Sequence, residues 1–158
     1  MVWVAMSGDG HIFKPIFVKP GVKINHRYYI DRVLKPFVKE AKKFYGKRKW
    51  TFQQDSAPAH RDRRTQAFLK CNKIKFLSPL EWMPNSPDAA PCDYWLWGYL
   101  KSRLNSKHVN TLSQLKRAIT RELKNIPEEM VIKAMSRWPK RVYAIYKAKG
   151  NNIEKTKI

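Results

Sequence analysis

Trp50-Thr51-Phe52-Gln53-Gln54-Asp55-Ser56-Ala57-Pro58-Ala59-His60 is the stretch on which the reading of this chain turns. Its first five residues mix aromatic and β-branched side chains in a run too short for a helix, so they read as a strand. The strand delivers Asp55 at its end, just before a Pro-containing turn. In open α/β sheets, the ends of strands are where ligand chemistry is placed. Asp55 is therefore the first candidate for a functional carboxylate.

Working outward, the basic turn Lys47-Arg48-Lys49 separates this strand from a long amphipathic run. Ile30, Val33, Leu34, Phe37, Val38, Ala41, Phe44 and Tyr45 recur at the helical period, with Asn25 as N-cap and Gly46 as stop. Upstream of that helix, Val2 to Met6 and His11 to Val18 read as strands joined by the turn Ser7-Gly8-Asp9-Gly10, a hairpin. Downstream of Asp55, Ala59 to Cys71 reads as a helix with Ala67, Phe68 and Cys71 inward, and Ile74 to Leu77 as a strand. Strands alternating with helices define an α/β domain, and the hairpin adds antiparallel pairing, so a mixed sheet flanked by helices is expected.

A Pro-rich loop, Ser78 to Pro91, then leads to a helix starting near Cys92. Cys92, Trp95, Leu96, Tyr99 and Leu100 form its apolar stripe. Thr111 with Gln114 has capping-box spacing and opens a helix through about Asn125. A last helix follows Pro127, with Glu128 and Glu129 at its positive end and Val131, Ala134, Met135 and Trp138 inward. Residues 1–146 are read as one domain and 147–158 as a loose, Lys-rich tail.

Composition narrows the partners. The 158 residues hold 33 Lys and Arg against 12 Asp and Glu, a net charge of +21, which marks a protein that meets a polyanion. Hydrophobic residues make up 43%, enough for a folded core, yet no run of 18 apolar residues exists and no membrane partner is expected. No secretory leader is read at Met1 to Met6, and Cys71 and Cys92 form no disulfide framework.

A second acidic segment complements the first: Trp82-Met83-Pro84-Asn85-Ser86-Pro87-Asp88-Ala89-Ala90-Pro91-Cys92-Asp93-Tyr94. Asp93 falls in the first turn of its helix, off the apolar stripe, and is expected to point toward Asp55. Two carboxylates brought together in so basic a chain need a cation, and Mg²⁺ is a hard ion that takes carboxylate oxygens, water and substrate phosphate. Taken singly, an Asp near a helix start is more often a cap than a metal ligand, and His60 is more often structural than catalytic. Cys71, Cys92, His60 and His108 lack the spacing of a zinc site.

The pattern as a whole resembles the mariner superfamily of DDE/D transposases over nearly the full length. Met1-Val2-Trp3-Val4 with Ser7-Gly8-Asp9-Gly10, the Gln53 to His60 segment, Ser86-Pro87-Asp88-Ala89-Ala90-Pro91-Cys92-Asp93-Tyr94, and the late Arg141-Val142-Tyr143 and Gly150-Asn151-Asn152-Ile153 carry the likeness. The resemblance implies a ribonuclease-H-like fold and a two-metal Mg²⁺ or Mn²⁺ site. It implies Asp55 as second metal ligand and Asp93 as third, with 37 residues between them. His60 and Asp88 would lie near the site, Asp88 as a loop-shaping residue. Double-stranded DNA, as transposon ends and target, is the implied partner, a homodimer the implied assembly, and the nucleus the implied compartment. Lys47, Arg48, Lys49, Arg61, Arg63 and Arg64 are candidates for phosphate contact.

The same resemblance puts the first catalytic Asp on the first sheet strand, upstream of the Val-Trp strand on which this sequence opens. Asp9, in the hairpin turn, and Asp31, on the long helix, are not expected to replace it. A sheet lacking that strand is expected to be marginally stable or to pair Val2 to Met6 with Trp50 to Gln54. Metal-dependent DNA cleavage and strand transfer is the implied chemistry, incomplete in these residues. The alternative is a non-enzymatic, basic DNA-binding module of transposase origin.

Overall fold

Asn25 starts the longest helix where the sequence places it, its Oδ1 accepting from the Tyr28 N–H at 2.9 Å. The computed structural model describes residues 1–83 and 86–153. The elements are β1 (Val2–Trp3), β2 (Ile16–Phe17), α1 (26–45), β3 (Thr51–Phe52), α2 (Pro58–Arg61), α3 (Arg63–Cys71), β4 (Lys75–Phe76), α4 (92–105), α5 (Leu112–Lys124), α6 (Glu128–Ser136) and α7 (Trp138–Lys147). They belong to two compact units. Unit 1 comprises Met1–Trp3 and Val18–Asn85, and unit 2 comprises Val4–Phe17 and Ser86–Ile158.

In unit 1, α1 contains one π-helical turn, Ile30–Leu34, and stops at Gly46, whose φ of +56° suits a residue without Cβ. Tyr29, Val33, Leu34, Phe37, Val38 and Ala41 are buried along its inner face. Phe37 is the hub of an aromatic cluster: its ring lies 5.1 Å from Trp3 and 4.9 Å from Phe52. β3 pairs with β4 in parallel, Thr51 opposite Lys75 and Phe52 opposite Phe76. A parallel pair needs a crossover, and α2 and α3 supply it. Of the two alternatives expected, the pairing of Val2–Met6 with Trp50–Gln54 is not formed: among the described residues the sheet containing β3 has two strands, β3 and β4.

The helix expected from Ala59 to Cys71 is broken. Asp62 is extended (φ −58°, ψ 133°), and its Oδ1 accepts from the Arg64 N–H at 2.9 Å, capping α3 afresh. That restart shifts the helical phase. Thr65 and Leu69 are buried, whereas Ala67 and Cys71, expected inward, are exposed. The Thr65 hydroxyl donates to the Ala59 carbonyl at 2.7 Å, so its buried oxygen is satisfied.

In unit 2 the hairpin is held by Ser7 N–H to His11 O (2.8 Å), Phe13 N–H to Ala5 O (3.0 Å) and an antiparallel bridge between Met6 and Ile12. Gly10 at its turn has φ +86°, and a Cβ there would fall 2.2 Å from Glu128 Cγ. α4 begins with a π-helical turn, Cys92–Leu96. Only Leu96 and Leu100 of its expected stripe are fully buried, because the extra residue per turn swings Cys92, Trp95 and Tyr99 partly outward. The Thr111–Gln114 capping box forms as expected. The last helix is two: α6 and α7 meet at Arg137, just before Pro139 in the first turn of α7. The tail is anchored at least to Ile153, which is 2% exposed.

Glu122 on α5 is buried, and its carboxylate meets Arg103 near the end of α4 at 3.0 Å and Lys107 in the α4–α5 connection at 2.7 Å. The Lys107 hydrogen bond first, and then that from Arg103, holds its pKa below the ordinary glutamate value. A depressed folded pKa gives stability that is complete above the unfolded value and lost as pH falls through the folded one. Thermal melts from pH 7 down to about pH 3 should show the wild type losing part of its lead over Glu122→Gln as acidity rises. A constant gap between the two would show that the carboxylate charge contributes nothing there.

Candidate functional site

Asp55 follows β3 in unit 1, where the strand has left its ladder and the chain turns toward Pro58. Its Oδ1 lies 2.6 Å from His60 Nδ1 and also accepts the Ala57 N–H at 2.9 Å. The side chain is 60% exposed and that of His60 14%. With an ionised carboxylate as partner, Nδ1 carries the proton and donates. The His60 bond, and after it that from Ala57, holds Asp55 below the ordinary aspartate pKa against the opposing effect of burial. An ionised carboxylate results, with its hydrogen bonds on one oxygen.

What holds His60 was not read from the sequence. Its ring lies 4.3 Å from that of Tyr29, tilted by 37°. Tyr29 is 1% exposed and its phenol donates to Gln54 Oε1 at 2.9 Å. Gln54 Nε2 reaches the His60 carbonyl at 3.5 Å, a long contact that closes the loop. Burial pushes the Tyr29 phenol well above its ordinary pKa, so it serves as a neutral donor. The available signals were Gln54, inside the decisive segment, and Tyr29, four residues before Val33 on the buried face of α1.

Asp93 belongs to unit 2. It is exposed, within the π-helical turn of α4, and its N–H donates to the Ala90 carbonyl at 2.9 Å. π turns displace side chains from the regular helical register and recur at functional sites. Asp88, five residues earlier, is 4% exposed; its Oδ2 accepts the Ile153 N–H at 2.8 Å. That bond joins the Pro87–Ala89 turn to the Ile153 backbone. Asp55 and His60 thus come together in one unit, and Asp88 and Asp93 share the approach to α4 in the other.

Two of the other aspartates have their carboxylates engaged elsewhere. Asp31 pairs with Lys35 at 2.6 Å along α1. Asp62 caps α3, accepts two Arg64 side-chain bonds at 3.0 Å each, and faces His26 at 3.3 Å. Asp9 sits in the hairpin turn, its N–H on Ser7 Oγ. Among the described residues no group of three or more His, Cys, Asp or Glu side chains is arranged to hold a metal. Of the basic candidates, Arg48 donates to the Phe44 carbonyl and stacks on Phe44 and Tyr45, which makes it a helix-end clamp. Arg64 is tied to Asp62, and Lys47, Lys49, Arg61 and Arg63 are exposed.

No protein-family model matches the chain. Relatives do. The Tc3 transposase of Caenorhabditis elegans is 29% identical over 133 residues, 83% of this chain and 39% of the relative. The Tcb1 transposase of Caenorhabditis briggsae is 29% identical over 103 residues, 65% of this chain and 36% of the relative. The chain thus spans less than two fifths of the length of these relatives. Among solved structures, the catalytic domain of the Mos1 mariner transposase superposes with a TM-score of 0.82 over 97% of this chain and 75% of that one, at 19% identity. A Mos1 paired-end complex with the left transposon end gives 0.85 over 97% of this chain and 44% of that one, at 20% identity.

The chain has the mixed α/β, ribonuclease-H-like fold of the Mos1 mariner transposase catalytic domain. In sequence it is similar to the Tc3 and Tcb1 enzymes, and in structure to Mos1.

The Asp55–His60 bond yields a direct expectation. His60→Ala removes the leading cause of the depressed pKa, so the Asp55 carboxyl should titrate at higher pH than in the wild type. Carbon-detected NMR titration of the aspartate carboxyls reads this. An unchanged Asp55 midpoint would mean that His60 does not tune it.

Proposed function

We propose that this chain is a transposase catalytic region for divalent-metal-dependent DNA cleavage and strand transfer, in which Asp55 and Asp93 act together as metal ligands. The observation that carries the reading is the state of Asp55: ionised, largely exposed, and, among the described residues, hydrogen-bonded through Oδ1. That suits a hard cation, since Mg²⁺ keeps several waters and takes one or two carboxylates together with substrate phosphate. Solved Mos1 catalytic-domain structures with Mn and with Mg are among its structural neighbours.

A bound cation supplies Lewis-acid activation of the nucleophile and stabilisation of the leaving oxygen. Asp55 and Asp93 would hold it, and His60 would keep the Asp55 carboxylate aimed. Exposed Lys47, Lys49, Arg61 and Arg63 would bind the DNA backbone. The nucleophile, a water or a DNA 3′-hydroxyl, attacks phosphorus as the opposite P–O bond breaks. The engagement of the Asp31 and Asp62 carboxylates supports the further proposal that these residues supply two of the family's three carboxylates, so the chain alone nicks DNA poorly. Transposon ends and target DNA as partners, assembly as a homodimer, and a nuclear location complete the proposal.

A second reading, a DNA-binding module without catalysis, is favoured by the net charge of +21. Both readings expect duplex binding that weakens steeply with salt.

Mn²⁺ calorimetry separates them. Affinity should fall by at least about tenfold in Asp55→Ala and in Asp93→Ala, since even outer-shell losses at metal sites cost about 10- to 100-fold. Equal affinity in wild type and both variants would leave only the binding module. Mg²⁺-dependent nicking by the wild type that Asp55→Ala abolishes would overturn the proposed incompleteness.

A further inference from the structure

The short turn that delivers Asp93 is gripped from one side by the end of the chain. Asp88 and Ala89 belong to a 3₁₀ turn, Pro87–Ala89, and the Asp93 and Tyr94 N–H groups hang from the Ala90 carbonyl one residue later. Displacement of the turn therefore displaces the first turn of α4. Three contacts from unit 2 hold it. Trp138 Nε1 donates to the Ala89 carbonyl at 2.8 Å, Arg141 Nη1 donates to the Asp88 carbonyl at 3.0 Å, and the Ile153 N–H donates to Asp88 Oδ2 at 2.8 Å.

Arg141 does more than bond the turn. Its guanidinium also lies over the Tyr94 ring, 4.2 Å from the centroid, and the Tyr94 hydroxyl donates to the Ala134 carbonyl at 2.8 Å. One planar cation thus touches the chain on both sides of Asp93, at Asp88 and at Tyr94. Lysine cannot bond one group through a planar fork while stacking on another in this way. Asp88 itself is costly to bury. Its Oδ1 is inaccessible and has no hydrogen-bond partner among the described residues. A loop residue that only needed to turn the chain would not require a buried carboxylate.

We propose that Arg141, with Trp138, Asp88 and the Ile153 backbone, forms a clasp that sets the aim of Asp93, making Arg141 a positioning residue for that carboxylate. The inference rests on Asp93 being a metal ligand. Its structural half, local ordering of the Asp93 turn by the clasp, stands apart from that reading.

Amide hydrogen exchange on the full 158-residue chain tests the structural half, and Mn²⁺ titration the functional half. Arg141→Ala should speed exchange at Ala89, Ala90, Asp93 and Tyr94 by about tenfold or more, and leave Gln114 in the α5 capping box within about twofold. Arg141→Lys should not restore protection. Trp138→Phe keeps the packing, removes only the donor to Ala89, and should loosen the same amides if Arg141→Ala fails to fold. Mn²⁺ affinity should fall about threefold to tenfold in Arg141→Ala, and the loss should vanish in an Asp93→Asn background, where nothing is left to aim. Uniform acceleration across unit 2, or unchanged exchange at residues 89–94, overturns the clasp. Should Asp93→Asn alone leave Mn²⁺ affinity unchanged, the ligand assignment fails, and exchange still decides whether the clasp orders the turn. An Arg141→Ala protein with weaker DNA binding and native exchange would make Arg141 a phosphate contact.

Discussion

Tyr29 cannot leave its place without opening the core of unit 1, and through one hydroxyl it ties the long helix to the segment that ends at Asp55. Gln54 accepts that hydroxyl, His60 packs against the same ring, and His60 holds Asp55. The network links α1, the end of β3 and α2, elements brought together only by folding. An exposed carboxylate on a loop would ordinarily sample several rotamers. Here its ordering cost is met when the core closes, and the acid stays charged because its hydrogen bonds favour the ionised form.

Unit 2 solves a similar problem by other means. The backbone that carries Asp93 is wound as a π turn and bound to α7 and Ile153 through the Asp88 turn. Helical register there follows from hydrogen bonds made some 50 to 65 residues along the chain. Both units thus use long-range contacts to steady an acid, consistent with chemistry that requires ligands to be placed before the substrate arrives.

Much of this was legible in the residues. The Asn25 cap, the Gly46 stop and the Thr111–Gln114 box are local signals, set by backbone groups that a helix end leaves unpaired, and each is realised. The decisive segments could be read because strand-end and helix-start positions are also local. The break at Asp62 was not, because an Asp inside a helical pattern looks like any surface residue until its carboxylate caps the next turn. The phases of α3 and α4 were misjudged for the same reason, since one restart or one π turn rotates every later side chain. Nor could a count of lysines show that Ile153 is buried, or that the carbonyls of Asp88 and Ala89 have partners in α7.

The partnership of the two acids is the claim on which the functional account stands. Paramagnetic broadening of the aspartate carboxyl signals during a Mn²⁺ titration tests it most directly. The account expects the Asp55 and Asp93 resonances to broaden together, at one Mn²⁺ concentration, and the Asp93 resonance to stay sharp in Asp55→Asn. Broadening of one without the other, or of Asp31 and Asp62 to the same extent, would contradict it.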